Sequence, residues 1–221
     1  MRSLTTKRII VDLLELERNP IPNTHIWYDE SDIKNIKLVI IGPDDTPYKG
    51  GFYIFDIKFS DNYPKNPPDV KFVTTNSYTR FNPNLYENGK VCLSILNTWA
   101  GPKWSAIMSL SYIIINLQSI LCKHPIRNEP GYETTRIKDS QNVNYSKIIE
   151  FWNWKYAIIH VLNTKLEPAL NDYIQNYYKQ NIDSYTKELY EYQKLHPIKI
   201  SCIYNKHETI DYNSISLPQS K

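Results

Sequence analysis

RFNPNLYENGKVCLSIL, residues 80–96, sets a cysteine in a short apolar run, eight positions after Asn84. The stretch keeps neither a helical nor a strand period. A cysteine that only filled a core would need no such approach. Asn84 carries two N–H donors and a carbonyl acceptor. That amide suits either the ordering of a loop or the stabilisation of an oxyanion formed when a carbonyl is attacked. Gly89 permits a sharp turn ahead of Val91 and Cys92. A free cysteine is commonly a small buried hydrophobe, and for Cys92 that reading stands beside the reactive one. Cys122, continuing an apolar helix face, and Cys202, in the tail, keep the plain reading. The five histidines, His25, His124, His160, His196 and His207, form no local cysteine-protease signature. A thiol without a strong neighbouring base suits a carrier that holds an acyl group as a thioester and passes it on.

Outward from this stretch the pattern is mixed. Upstream, Ser3 is a candidate helix cap. Ile10, Leu13 and Leu14 follow at helical spacing until Pro20 and Pro22 end the pattern. Residues 36–41, 52–59 and 70–74 carry strand signals. Between the last two, YPKNPP at 63–68 is too proline-rich for a ladder or a helix interior. Downstream, Leu110, Ile113, Ile114, Leu117 and Leu121 predict a helix that ends at His124-Pro125. One helix, consecutive strands, a long irregular stretch over about 75–105 and then a helix predict an α+β domain. Irregular stretches of that length inside a domain are commonly functional. Beyond it, Ile148, Ile149, Trp152, Tyr156 and Ile159 mark one helical pattern. Tyr173, Tyr177, Tyr185, Leu189 and Tyr192 mark a second over about 167–195. The tail, short of apolar runs, is expected to be partly mobile.

Composition narrows the classes. The 221 residues are 41 % hydrophobic and 22 % charged, with a net charge of +3, ordinary for a globular chain. No dense Lys/Arg cluster points to nucleic acid. No apolar run reaches the roughly 18–20 residues of a membrane span. The N-terminus reads as neither signal peptide nor anchor. Three scattered cysteines do not make a disulfide framework, so a reducing compartment, cytoplasm or nucleus, is expected. Richness in Asn, Ile, Lys and Tyr hints at an AT-rich coding genome.

Asn82-Pro83-Asn84, Cys92-Leu93-Ser94-Ile95-Leu96 and Trp104-Ser105 resemble the active-site region of ubiquitin-conjugating (E2) enzymes, whose pattern is His-Pro-Asn, a cysteine eight residues after that Asn, then Leu-x-Ile-Leu and a later Trp-Ser. GPDDTPYKGGFY at 42–53 and YPKNPPDVKF at 63–72 resemble two further family stretches, in family order. The resemblance covers about residues 4–133. It implies a UBC fold, an antiparallel four-stranded sheet flanked by helices. The catalytic core would be residues 1–133, with a helical C-terminal extension, 134–221, packed on or beside it. Departures are Asn82 for the usual His and Ser94 where many members carry Asp. Together with Thr98-Trp99, Gly101-Pro102, Asn128-Glu129-Pro130-Gly131 and Ile210-Asp211-Tyr212, they resemble the large enzyme Z subtype.

The resemblance implies roles. Cys92 would take the C-terminal carboxyl of ubiquitin, or of a related modifier, from an activating enzyme (E1) as a thioester. It would then pass it to a lysine amine or to an E3 ligase. Asn84 would order the loop or stabilise the oxyanion. Glu129, or Asn128 beside it, matches the acidic gate that orients and deprotonates the lysine, unless it is simply a solvated acid. Lys7 and Arg8 on the first helix would meet E1. Lys65, Asn66, Ala106 and Ile107 match the E3 docking surface, though Lys65 replaces a common apolar residue. The chain would work as a monomer on a substrate protein, with no metal and no cofactor of its own, ATP being used by E1. Two other classes are open. A binding-only relative would lack the cysteine. A cysteine hydrolase would need a histidine near Cys92 in space.

Overall fold

The structure, a computed structural model, describes residues 3–218. The chain divides into two compact units. One runs up to Gly42 and resumes over Tyr53–Leu121; the other comprises Pro43–Phe52 and the chain from Cys122 onward.

In the first unit, α1 (Leu4–Arg18) begins where Ser3 accepts a hydrogen bond from the Thr6 N–H at 3.0 Å. It buries Ile9, Leu13 and Leu16, a helical stripe; of the expected face Ile10, Leu13 and Leu14, only Leu13 lies on it, Ile10 being half-buried and Leu14 exposed. Four strands follow, β1 (Thr24–Asp29), β2 (Asp32–Ile41), β3 (Phe52–Lys58) and β4 (Asp69–Phe72). They lie in the order β1-β2-β3-β4 as an antiparallel sheet. The sequence pattern marked three of them and missed β1. Its residues are half-buried on both faces until Asp29, because an edge strand lacks the clean alternation of a strand with one covered face. Its hairpin closes through Asp29, whose carboxylate accepts from the N–H of Ser31 at 2.8 Å. In the β3–β4 pair Phe55 stands opposite Phe72, with ring centroids 5.4 Å apart.

The helix expected after the irregular stretch is α2 (Leu110–Ile120), capped by Ser109 and burying Leu110, Ile113, Ile114, Leu117 and Ile120. It packs against α1. Between β4 and α2 the chain holds a short 3₁₀ turn, Ser94–Leu96, and isolated bridges such as Leu85 to Val91.

The second unit is mainly helical. A 3₁₀ turn over Pro125–Asn128 precedes α3 (Ser140–Trp152). A π-helical stretch, Asn153–His160, leads into α4 (Val161–Asn163). Then come α5 (Pro168–Gln180) and α6 (Ile182–Gln193). Two expectations change here. The face Trp152, Tyr156, Ile159 is only half-buried, while Trp154, Ala157 and Ile158 enter the core. A π turn inserts a residue per turn and rotates the apolar face. The pattern over 167–195 is two helices, broken at Asn181 (φ −114°, ψ 10°). The tail carries a hairpin that the sequence pattern did not mark, β5 (Ile198–Cys202) with β6 (Lys206–Ile210).

Candidate active site

Cys92 and Asn84 meet in the first unit, joined twice. The Cys92 N–H donates to the Asn84 carbonyl at 2.8 Å. The Asn84 side-chain amide donates back to the Cys92 carbonyl at 2.6 Å. The loop between them is built to allow this. Gly89 sits at φ +87°, and a Cβ there would lie 2.7 Å from the Phe72 carbonyl oxygen. The Phe72 N–H in turn donates to the Gly89 carbonyl at 2.8 Å. Only glycine satisfies both the left-handed φ and that approach.

Asn82, in the place of the family histidine, is fully buried. Its amide donates to the Ile120 carbonyl at 2.7 Å, and its Oδ1 accepts from the Asn84 N–H at 3.0 Å. It therefore ties the end of α2 to the backbone of the residue that clamps the cysteine. Thr98 braces the other side. Its hydroxyl donates to the Val91 carbonyl at 2.8 Å and accepts from the Leu93 N–H at 3.0 Å. Ser94 packs against Gly101, whose φ is +118°. Thr98 was read only as part of a run. Its bracing of the cysteine has no local signal, because it comes from the chain folding back after the 3₁₀ turn.

The Cys92 thiol is enclosed, the residue being 1 % exposed. The other two cysteines lie in the second unit, Cys122 half-buried and Cys202 buried. Burial raises the pKa of Cys122 and pushes that of Cys202 up to about 11, which disfavours the nucleophilic thiolate. His25 is the one histidine in the unit that holds Cys92; it lies in β1, and burial lowers its pKa.

Glu129 belongs to the second unit. It follows the Pro125–Asn128 turn, its N–H donating to the Ile126 carbonyl at 2.9 Å. Its carboxylate Oε2 accepts from the Tyr204 hydroxyl at 2.5 Å. It is therefore not a loosely solvated acid, and nothing in its neighbourhood of sequence announced Tyr204.

The two basic residues of the first helix differ in their surroundings. Lys7 is exposed, as expected, but Arg8 is engaged within the unit. Its guanidinium bonds Asp12 at 2.9 Å and donates to the carbonyls of Ala106 at 2.8 Å and Met108 at 2.6 Å. Asp12, 1 % exposed, also accepts from the Tyr63 hydroxyl. Trp104 Nε1 donates to the Pro64 carbonyl at 2.7 Å. This web shapes the surface that carries Lys65, Asn66 and Ile107, all exposed. Among the described residues no group of His, Cys, Asp or Glu is placed to hold a metal ion, and no helix is long and apolar enough to cross a membrane.

The family model for ubiquitin-conjugating enzymes matches residues 8–153. The chain belongs to the ubiquitin-conjugating enzyme family. The α+β sheet-and-helix architecture of the first unit is accordingly that of the UBC fold. Ubiquitin-conjugating enzyme E2 Z of Xenopus tropicalis is 40 % identical over 181 residues, covering 80 % of this chain and 58 % of the relative. Its Homo sapiens counterpart is 42 % identical over 159 residues, covering 72 % of this chain and 45 % of the relative. The chain thus spans about half the length of these relatives. A solved structure of human ubiquitin-conjugating enzyme E2 G1 is 31 % identical, with 55 % of this chain and 97 % of the other aligned at a TM-score of 0.48.

Proposed function

We propose that the chain is a working E2 acyl carrier. Cys92 takes ubiquitin from an E1 and delivers it to a lysine amine or to an E3 ligase. In the first step the Cys92 sulfur attacks the carbonyl carbon of the E1-held thioester. A new C–S bond forms, the bond to the E1 sulfur breaks, and that sulfur leaves with its electron pair and takes up the proton that the Cys92 thiol gives up. In the second, an amine nitrogen attacks that carbon. The C–N bond forms, the C–S bond breaks, and the nitrogen gives up a proton while the Cys92 sulfur regains one. Glu129 receives the lysine and its proton. Asn84 holds the loop, and its amide, which has a second N–H, stabilises the developing oxyanion. The observation that carries this reading is the reciprocal clamp between Asn84 and Cys92, which fixes the backbone on both sides of the sulfur in advance of reaction.

The enclosed thiol has a consequence: charging requires the side chains over Sγ to give way, so the free thiol should react slowly with bulky alkylating reagents. The exposed face of α1, with Lys7, is assigned to E1. The surface with Lys65, Asn66, Ala106 and Ile107 is assigned to E3. The extent of the catalytic core, the identity of the modifier, a monomeric state, a cytoplasmic or nuclear location and the absence of a cofactor belong to the same proposal.

A charging assay tests it. Protein, ubiquitin, ATP and Mg²⁺ are mixed with each class of E1 and run on a non-reducing gel beside Cys92→Ala and Cys92→Ser. The expected result is a thiol-sensitive adduct one ubiquitin heavier, lost in Cys92→Ala and thiol-resistant in Cys92→Ser. No adduct with any E1 would overturn the carrier reading for ubiquitin. Rapid E1-independent hydrolysis of an isolated thioester would favour a hydrolase instead.

A further inference from the structure

The turn between β5 and β6 is an unusual place for a tyrosine. Tyr204 has φ 66° and ψ 20°, the left-handed region that a side chain with a Cβ occupies at a cost. Hairpin turns that need this conformation ordinarily use Gly, Asn or Asp. A residue held in such a conformation persists where its surroundings over-determine it, and such positions cluster at working sites.

The surroundings of Tyr204 do so. Its ring stands edge-on to Tyr145 of α3, centroids 5.8 Å apart. The hairpin is itself fastened to α3. The Asn144 amide donates to the Ser201 carbonyl at 2.8 Å, and Trp152 Nε1 donates to Glu208 at 2.8 Å. The Pro125–Asn128 turn that carries Glu129 packs on the same helix. One helix therefore sets both ends of the bond from the Tyr204 hydroxyl to Glu129 Oε2, at 2.5 Å. A hydroxyl donating to a carboxylate is among the stronger hydrogen bonds of proteins. Glu129 would otherwise have three rotatable side-chain bonds and no fixed direction. Held through Oε2, the carboxylate keeps further lone pairs to offer a second donor.

We propose that Tyr204 is a positioning residue for ubiquitin transfer: its hydroxyl orients the Glu129 carboxylate to receive the substrate lysine. The C-terminal hairpin is then part of the transfer machinery and more than a packing element. This rests on the role of Glu129 proposed above. Ubiquitin recognition and charging of Cys92 do not enter it.

The test uses the full chain, charged with ubiquitin by E1 and then freed of Mg²⁺. Discharge is followed on the charged fraction alone across a range of free lysine concentrations, so unequal loading does not enter. Tyr204→Phe should lower the maximal discharge rate about tenfold or more, within the roughly 100-fold that a misplaced catalytic group can cost, and leave the half-saturating lysine concentration little changed. Glu129→Gln should be at least as slow. The double variant should be no slower than Glu129→Gln, since a residue acting only through Glu129 adds nothing once Glu129 is gone. A wild-type rate for Tyr204→Phe beside a slow Glu129→Gln would overturn the role of Tyr204 and leave that of Glu129. A wild-type rate for Glu129→Gln would overturn both. A double variant slower than Glu129→Gln by the full Tyr204→Phe factor would assign Tyr204 to general structure and also overturn the proposal. If Tyr204→Phe loses the cooperative thermal transition of the wild type, Tyr204→Asn repeats the test, since asparagine tolerates the left-handed backbone and lacks the phenol.

Discussion

Asn84 and Cys92 hold each other through two hydrogen bonds that run in opposite directions, backbone N–H to carbonyl at 2.8 Å and side-chain amide to carbonyl at 2.6 Å. The side-chain bond separates the two roles open to Asn84. Asn84→Asp would set a carboxylate against a carbonyl oxygen, and denaturant unfolding should show a loss of about 1–3 kcal/mol, the cost of an unmade part-buried hydrogen bond. If Asn84 also binds the oxyanion, thioester discharge to lysine should fall about 100-fold in Asn84→Ala under conditions where that protein is fully folded. A rate that follows only the folded fraction would leave Asn84 as a loop clamp.

Asn82 occupies a sealed position, and both its polar ends are used. Asn82→Ala removes one hydrogen bond from the Ile120 carbonyl and one from the Asn84 N–H. Each such bond is worth up to about 1–3 kcal/mol, so a loss of about 2–6 kcal/mol in urea unfolding is expected. A loss below 1 kcal/mol would mean that water satisfies both groups.

Arg8 and Lys7 are neighbours with different duties. Arg8→Ala removes the partner of a buried carboxylate and two bonds to the 106–108 backbone. The Tyr63 hydroxyl still serves Asp12, which places the cost at about 2–4 kcal/mol, near the low end for a broken buried pair. Lys7→Ala, on the exposed face, should leave the unfolding midpoint unchanged. Equal effects of the two in a thermal melt would contradict the separation.

Glu150 couples the helical unit to pH. Burial raises its pKa above the usual carboxylate value of about 4.5, against the opposing bonds from Tyr192 at 2.7 Å and Tyr212 at 3.2 Å. The folded state then holds the proton more tightly than the unfolded state. The stability contributed is fully present below about 4.5 and is lost as pH rises through the higher folded value. Glu150→Gln keeps an acceptor for the tyrosines and removes the titration. The variant should therefore gain stability relative to wild type as pH increases from about 4.5 to neutrality, read as the difference in Tm. A difference that stays flat across that range would remove Glu150 as the source.

The sequence alone determined what lies in short spacings along the chain. The existence of α1 between Ser3 and Pro20, the α2 stripe from Leu110 to Leu117, the eight-residue step from Asn84 to Cys92 and the freedom of Gly89 to turn are all local. Periodicity and turn chemistry act over a few residues, so they can be read without the fold. Tertiary structure decided the rest. It took Arg8 out of the exposed basic face, gave Asn82 its partner 38 residues away, and joined Glu129 to Tyr204 across 75 residues. It also rotated the face after α3 by a π turn and closed the tail into a hairpin. These depend on which buried donors and acceptors meet when distant segments pack. The demand that each be satisfied belongs to the folded chain as a whole, and no single window of sequence contains it.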